Sequence, residues 1–294
     1  MTSVGFIGLG IMGGPMAANL VKAGFDVIGY DYSPARNEAL VRAGGQAASG
    51  VIELVQKADI VITMVPDSPD VAAVALGEQG ILANARPGQL YIDMSSISPK
   101  TAREVAEAAK TYGVRVLDAP VSGGEAGAIE GNLSIMVGGD AADFEAARPV
   151  LEVVGATVVH VGPHGSGQTV KAANQLIVAG TIELVAEAIV FLEAYEVDTE
   201  AAIKVLAGGL AGNRILDRKA AGMLARQFQP GFRIELHHKD MGIVTSAARE
   251  AGVVIPLGAA VAQLIAALKA QGDGGLDHTA LLKLVEQLSG RTAG

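Results

Sequence analysis

The chain has 294 residues, a formal net charge of −9 and a half-apolar composition. That length suits two domains rather than one core, and an acidic chain without a Lys/Arg run does not carry a nucleic-acid footprint. The absence of cysteine excludes disulfides, thiolate metal sites and cysteine nucleophiles, and fits the cytoplasm.

The chain begins with a short apolar run, Val4–Ile7, that follows no basic region and leads straight into glycines, so it reads as a strand and not as a signal peptide. Gly8-Leu9-Gly10-Ile11-Met12-Gly13 comes next, and a helix is expected from Met12 to Ala23, ending at Gly24. A glycine triad between a strand and a helix suits a dinucleotide pyrophosphate: Gly8 for the tight turn, Gly10 for backbone approach, Gly13 for close helix packing. The helix N-terminus then offers its N–H groups to phosphate. Asp26–Tyr30 reads as the second strand, and Asp31 follows it 18 residues after Gly13. Two roles fit Asp31: a ligand for ribose hydroxyls, which favours NAD(H) over NADP(H), or a turn residue ahead of Pro34. Arg36 nearby leaves NADP(H) open.

Pro34–Ala43 is expected as a helix, and Ile60–Thr63, Leu90–Asp93, Val114–Leu117, Leu133–Val137 and Thr157–Val161 as strands. With helices over Pro99–Tyr112 and Ala141–Val154, the alternation implies a largely parallel sheet, to which the crowded later strands can add an antiparallel part. Loops after such strands line the binding crevice. They are Met64-Val65-Pro66, Asp93-Met94-Ser95-Ser96 with Ser98 suited to cap a helix, and Pro120-Val121-Ser122-Gly123-Gly124, which fits either a carboxylate anchor or a surface turn.

After the turn-rich Gly162–Gly167 the pattern becomes helical. One apolar segment to about Glu196 would form a helix roughly 45 Å long at about 1.5 Å per residue. It carries Lys171, Asn174 and Gln175 on one face. Lys171 fits a proton donor to a carbonyl oxygen, with Asn174 holding the oxygen or the lysine; a snorkelling lysine fits as well. Further helices are expected at Thr199–Ala207, Arg214–Arg226, Lys239–Ala251, Ile255–Gln271 and His278–Leu288. Lys239 beside Asp240 is a second candidate lysine, for which a solvent-facing helix start fits as well, and His237 and His238 read as structural, with no metal site expected. Ala251–Leu268 is uncharged but interrupted by Pro256; it reads as an interior or subunit-interface helix, not a membrane span, so a homodimer or homotetramer is expected.

Several of these blocks, taken together and in order, resemble the β-hydroxyacid dehydrogenases, the 3-hydroxyisobutyrate dehydrogenase-like family, over essentially the whole chain. They are Gly5–Gly13, Asp93–Pro99, Asp118–Gly124, Gly165–Asn174 and Lys239-Asp240. The resemblance implies an N-terminal Rossmann doubly wound α/β domain (1–162) and a C-terminal all-α substrate and oligomerisation domain (163–294), linked by the long helix. It implies Lys171 and Asn174 as catalytic, and Ser122, Gly123, Gly124, Lys171, Asn174, Gln175 and Lys239 as substrate-binding. It places the cofactor at Gly8, Gly10, Ile11, Met12, Gly13, Asp31, Met64, Val65, Pro66, Ser96 and Lys239.

Gly208–Gly212 and Pro230–His237 look like the branch that reduces 2-hydroxy-3-oxopropanoate to D-glycerate. Arg214 after that glycine stretch can meet a substrate carboxylate or solvent. The alternatives are a 3-hydroxyisobutyrate dehydrogenase or another short semialdehyde or glyoxylate reductase, an imine reductase, and a dinucleotide-binding regulator without catalysis. The Lys171/Asn174 pair argues against the regulator.

Overall fold

The computed structural model describes residues 2–291, which divide into two compact units, one up to Lys171 and one from Ala172 onward. Unit 1 runs β1 (Ser3–Ile7), α1 (Gly13–Lys22), β2 (Asp26–Tyr30), α2 (Pro34–Arg42), β3 (Gln46–Ala47), α3 (Val51–Lys57), β4 (Ile60–Thr63), α4 (Ser68–Leu76), α5 (Ile81–Asn84) and β5 (Leu90–Asp93). It continues with α6 (Pro99–Tyr112), β6 (Arg115–Asp118), β7 (Val121–Ser122), α7 (Gly124–Glu130), β8 (Leu133–Gly139), α8 (Ala141–Val154), β9 (Gly155–Gly162) and the start of α9 (Ser166–Ala194).

The strands form one sheet in the order β3-β2-β1-β4-β5-β6-β8-β7, with β9 also on β8. From β3 to β6 every pairing is parallel, while β8 runs antiparallel to β6 and β7. The antiparallel part is therefore real, and β7 was not foreseen. The parallel strands are apolar on both faces, as a doubly covered sheet requires. Val4, Phe6, Ile62 and Ile92 pack into one buried cluster, and Ile7, Val61 and Tyr91 into another. Strand order reverses between β2-β1 and β1-β4, which creates a crevice beyond the strand C-termini. Register pairs Tyr30 with Ile7, Ile7 with Thr63, Thr63 with Asp93 and Asp93 with Asp118. The last residues of β2, β1, β4, β5 and β6 thus form one row, and every loop expected at the crevice starts from it.

Unit 2 contains the rest of α9, then α10 (Thr199–Ala207), α11 (Arg214–Leu224), α12 (Ile234–Glu250), α13 (Pro256–Ala270), two 3-10 turns (Asp273–Gly275 and His278–Ala280) and α14 (Leu281–Leu288). Ile182, Met241, Val261, Ile265 and Leu281 fill one core cluster, and Val185, Ile189, Leu216, Met223 and Leu282 fill another. α9 is long and apolar enough to cross a bilayer by length and composition alone, but these two cores take up one side of it.

Three helix ends differ from the sequence reading for identifiable reasons. α11 stops at Leu224 because Arg226 adopts φ 52°, with its guanidinium fixed by Glu193 and Glu286. α12 starts at Ile234, five residues before Lys239: Arg233 forms a β-bridge with Asp277, and the Ile234 N–H donates to the Leu276 carbonyl. The residues before α14 form a separate 3-10 turn, capped by Asp277 on the Thr279 N–H.

Candidate active site

The glycine loop separates into glycines the fold needs and one it does not. Gly8 has φ 92°, and a Cβ there would strike the Met64 carbonyl. A Cβ on Gly13 would strike the Gly8 carbonyl and the Phe6 ring. Among the described residues beyond its chain neighbours, a Cβ on Gly10 would meet no atom nearer than Arg36 Nη1 at 4.0 Å. The space in front of Gly10 is therefore clear of protein, the room a pyrophosphate needs against the backbone. Met12 gives α1 no side-chain cap, but the Gly14 N–H donates to the Gly10 carbonyl at 2.9 Å and Pro15 has no N–H, so room for the anion comes from the open backbone at Gly10, and Ile11 beside it is exposed. The residues present fit a dinucleotide.

Asp31 closes this cradle. Its Oδ2 accepts from the Leu9 N–H at 2.9 Å and its Oδ1 from the Ser33 N–H at 2.9 Å. Arg36 lies 3.3 Å away, its side chain 53% exposed against 8% for Asp31. The carboxylate thus shapes the glycine loop and holds the arginine that flanks it.

The loops after β4 and β5 are bonded to each other. The Val65 N–H donates to Ser95 Oγ at 3.0 Å, and the Ser98 N–H to Ser68 Oγ at 3.0 Å. Ser98 also caps α6 through the Thr101 N–H, as expected. Beneath them Asp93 Oδ1 accepts from Thr63 Oγ1 at 2.7 Å and from the Ser95 N–H at 3.2 Å. Burial pushes the Asp93 carboxyl up to about 6, against the pull of the Thr63 and Ser95 hydrogen bonds. Ser96, the serine expected at the cofactor, is partly buried on this loop, whereas Ser95 is fully buried with its hydroxyl holding Val65.

Lys171 is mounted on the same sheet edge. It is 8% exposed, and its Nζ donates to the Val121 carbonyl at 2.8 Å, next to Ser122. Gly123 (φ 141°) and Gly124 (φ 66°) follow in the left-handed region, which turns the chain sharply and leaves the backbone without side chains at this point. Asp118, at the end of β6, caps the start of α9 by accepting from the Gly165 N–H at 2.7 Å and the Gln168 N–H at 3.0 Å. Burial raises the Asp118 carboxyl above its usual range, opposed by those two amides. Gln168 is buried, accepts from the Ile97 N–H at 3.1 Å and donates to the Ser95 carbonyl at 2.7 Å.

Within unit 2, Asn174 Nδ2 donates to Gln175 Oε1 at 2.8 Å, and Gln175 Nε2 donates to Asp240 Oδ2 at 2.6 Å. Lys239 pairs with Asp240 at 3.0 Å with only 18% of its side chain exposed. It is not at a solvent-facing helix start; it lies inside α12, because that helix begins earlier than its sequence pattern suggests. Asn174, Gln175, Lys239 and Asp240 form one connected group. His237 is fully buried against His278, Nδ1 to Nδ1 at 3.2 Å, and Asp277 accepts from Lys219 Nζ at 2.9 Å. His238 is held below its usual range by burial and by Lys269.

Two family profiles tile the chain: the NAD-binding domain of 6-phosphogluconate dehydrogenase over residues 3–162, and the NAD-binding domain of NADP-dependent 3-hydroxyisobutyrate dehydrogenase over 165–285. The chain is also 42% identical to the 2-hydroxy-3-oxopropionate reductase of Escherichia coli, over 97% of this chain and 98% of that protein. It belongs to the 3-hydroxyisobutyrate dehydrogenase-like β-hydroxyacid dehydrogenases. Identity to the 3-hydroxyisobutyrate dehydrogenase of Pseudomonas aeruginosa is 39%, over 97% and 98% of the two chains. The solved structure of the Mycobacterium tuberculosis 3-hydroxyisobutyrate dehydrogenase with L-serine superposes at a TM-score of 0.89, with 36% identity over 97% and 99% of the chains. This β-hydroxyacid dehydrogenase is accordingly an NAD(P)-dependent oxidoreductase acting on CH–OH.

The sequence reading passed over Ser95, Asp118 and Gln168 as individual residues. One signal was available: Gln168 is a polar residue three positions before Lys171, the spacing of neighbours on one helix face.

Proposed function

We propose that this enzyme reduces 2-hydroxy-3-oxopropanoate to D-glycerate. The observation that carries the chemistry is the Lys171 Nζ held at the Val121 carbonyl, next to Ser122 and in the same unit as the glycine loop. Held at the glycine loop, NADH would supply the hydride that the aldehyde carbon takes up. Lys171, as an ammonium, gives its proton to the carbonyl oxygen as charge develops there, which completes the hydroxyl. The Ser122 hydroxyl and the Gly123 and Gly124 amides, unshielded by side chains, anchor the substrate carboxylate. On the family resemblance we extend substrate roles to Asn174, Gln175 and Lys239, and cofactor roles to Met64, Val65, Pro66, Ser96 and Lys239. Asp31 ends β2 against the glycine loop, and on the family resemblance its carboxylate would oppose the 2′-phosphate of NADP(H), which supports a preference for NAD(H).

Identity to the Escherichia coli reductase supports this substrate, and identity to the Pseudomonas aeruginosa dehydrogenase supports 3-hydroxyisobutyrate as the second reading. The two are separated by kcat/KM for 2-hydroxy-3-oxopropanoate, 2-methyl-3-oxopropanoate (the aldehyde of 3-hydroxyisobutyrate), glyoxylate and succinic semialdehyde, each with NADH and NADPH. A larger kcat/KM for any other compound than for 2-hydroxy-3-oxopropanoate overturns the first reading.

We also propose a homo-oligomer. Ile177, Leu184 and Phe191 stand exposed at seven-residue spacing along α9, and Val253, Val254 and Leu257 stand exposed at the start of α13. Light scattering that gives the mass of one chain rules this out.

A further inference from the structure

The first turn of α9 is attached to the sheet more firmly than a helix start needs. Asp118 already satisfies its leading amides. Gly167 brings the helix backbone so close that a Cβ there would strike the Met136 and Asp118 carbonyls. Gln168 adds a third attachment. Only 1% of it is exposed, and both ends of its amide are matched: the oxygen to the Ile97 N–H, the nitrogen to the Ser95 carbonyl. Ser95 in turn holds Val65, so this one side chain ties α9 to both loops proposed for the cofactor. Lys171 follows one turn later on the same side of the helix.

We propose that Gln168 is a positioning residue for proton transfer: it fixes the rotation of this helical turn on the 95–97 loop, so that Lys171 is presented at a set place relative to the cofactor loops. The proposal rests on Lys171 being the proton donor. A primary amide of this length both donates and accepts here whatever the pH. Leucine at 168 leaves the Ile97 N–H and the Ser95 carbonyl buried without their partner. Glutamate at 168 sets an anionic oxygen against the Ser95 carbonyl until it is protonated, when its O–H donates in place of the amide.

The test compares Gln168→Leu, Gln168→Glu and Lys171→Met with the parent enzyme. For Gln168→Leu, kcat falls by roughly 10- to 100-fold, as expected when a proton donor is displaced, while the NADH Kd stays within about three-fold. For Gln168→Glu, the ratio of its kcat to that of the parent rises as the pH is lowered from 8.5 to 6. A helix that is merely loosened lowers thermal stability without producing this acid recovery. If Gln168→Leu does not fold, the Gln168→Glu ratio decides alone. A flat ratio, or a parental kcat in Gln168→Leu, overturns the proposal. Substantial turnover in Lys171→Met overturns instead the proton-donor reading beneath it.

Discussion

The Asp31 carboxylate accepts the Leu9 N–H at 2.9 Å, so the residue that ends β2 also sets the conformation of the glycine loop. It holds Arg36 at 3.3 Å as well. Asp31→Ala removes the carboxylate and leaves the Leu9 amide without its acceptor. The NADH Kd, read by fluorescence titration, is expected to rise by about ten-fold or more, the worth of a charged hydrogen bond. NADPH binding is expected to lose less, because a repulsive charge is removed at the same time and Arg36 is released. Equal losses for both cofactors would show that Asp31 acts only through the loop.

Lys171→Ala leaves the glycine loop and the Asp31 bonds untouched. It is expected to lower kcat by roughly 10²- to 10⁴-fold, the usual worth of a general acid, while NADH binds within about three-fold of the parent. Single-turnover kinetics with pre-bound NADH measure this directly. A hydride-transfer rate near that of the parent would remove Lys171 from the chemistry.

Glu183, on α9 in unit 2, has a buried carboxyl pushed up to about 7 by burial and by Glu187. Its folded pKa exceeds the unfolded value, so the fold favours the protonated form. That contribution is complete below about pH 4.5 and is lost as the pH rises through about 7. Glu183→Gln should therefore stabilise the protein at pH 8.5, by on the order of 1 kcal/mol once solvent screening is allowed for, and change little at pH 4.5. Thermal unfolding of both proteins at the two pH values checks the sign, and stabilisation confined to acid would contradict it.

His278 shows the opposite dependence. Burial and the neighbouring His237 hold its pKa well below the usual histidine value. The unfolded chain therefore takes up a proton near pH 6.5 that the folded one refuses, and stability drains away as the pH falls from there. His278→Leu loses the bond to His237 and should cost about 1–3 kcal/mol at pH 7.5. It should also flatten the acid dependence of the thermal midpoint between pH 6.5 and 4.5. An unchanged slope would place the acid sensitivity elsewhere.

The strand-to-helix alternation and the glycine loop were legible in the sequence because their causes are local. Gly8 is demanded by its own φ of 92° and Gly13 by the Gly8 carbonyl five residues back, and Asp26–Tyr30 is bounded by turn residues on either side. Short elements such as α3, seven residues long, carry too little periodicity to stand out. The mounting of Lys171 was hidden for another reason. Gln168 and Ser95 are 73 positions apart, and Asp118 and Gln168 are 50 apart. Nothing in a local window signals that a strand-end carboxylate will cap a helix that starts so much later. The early start of α12 was likewise decided from a distance, by Asp277 and Leu276.

Gly10 separates two kinds of selection. Its neighbour Gly13 answers to the fold, since any side chain there collides with the chain's own backbone. At Gly10, chain neighbours aside, no atom of the described residues lies closer than 4.0 Å to where a Cβ would stand. A library of variants at this position screened for folded, abundant protein would pass alanine and serine as silent. The same library screened for growth on the enzyme's reaction would reject them. Where the two screens part company, they trace the outline of the nucleotide on the protein without any ligand in view.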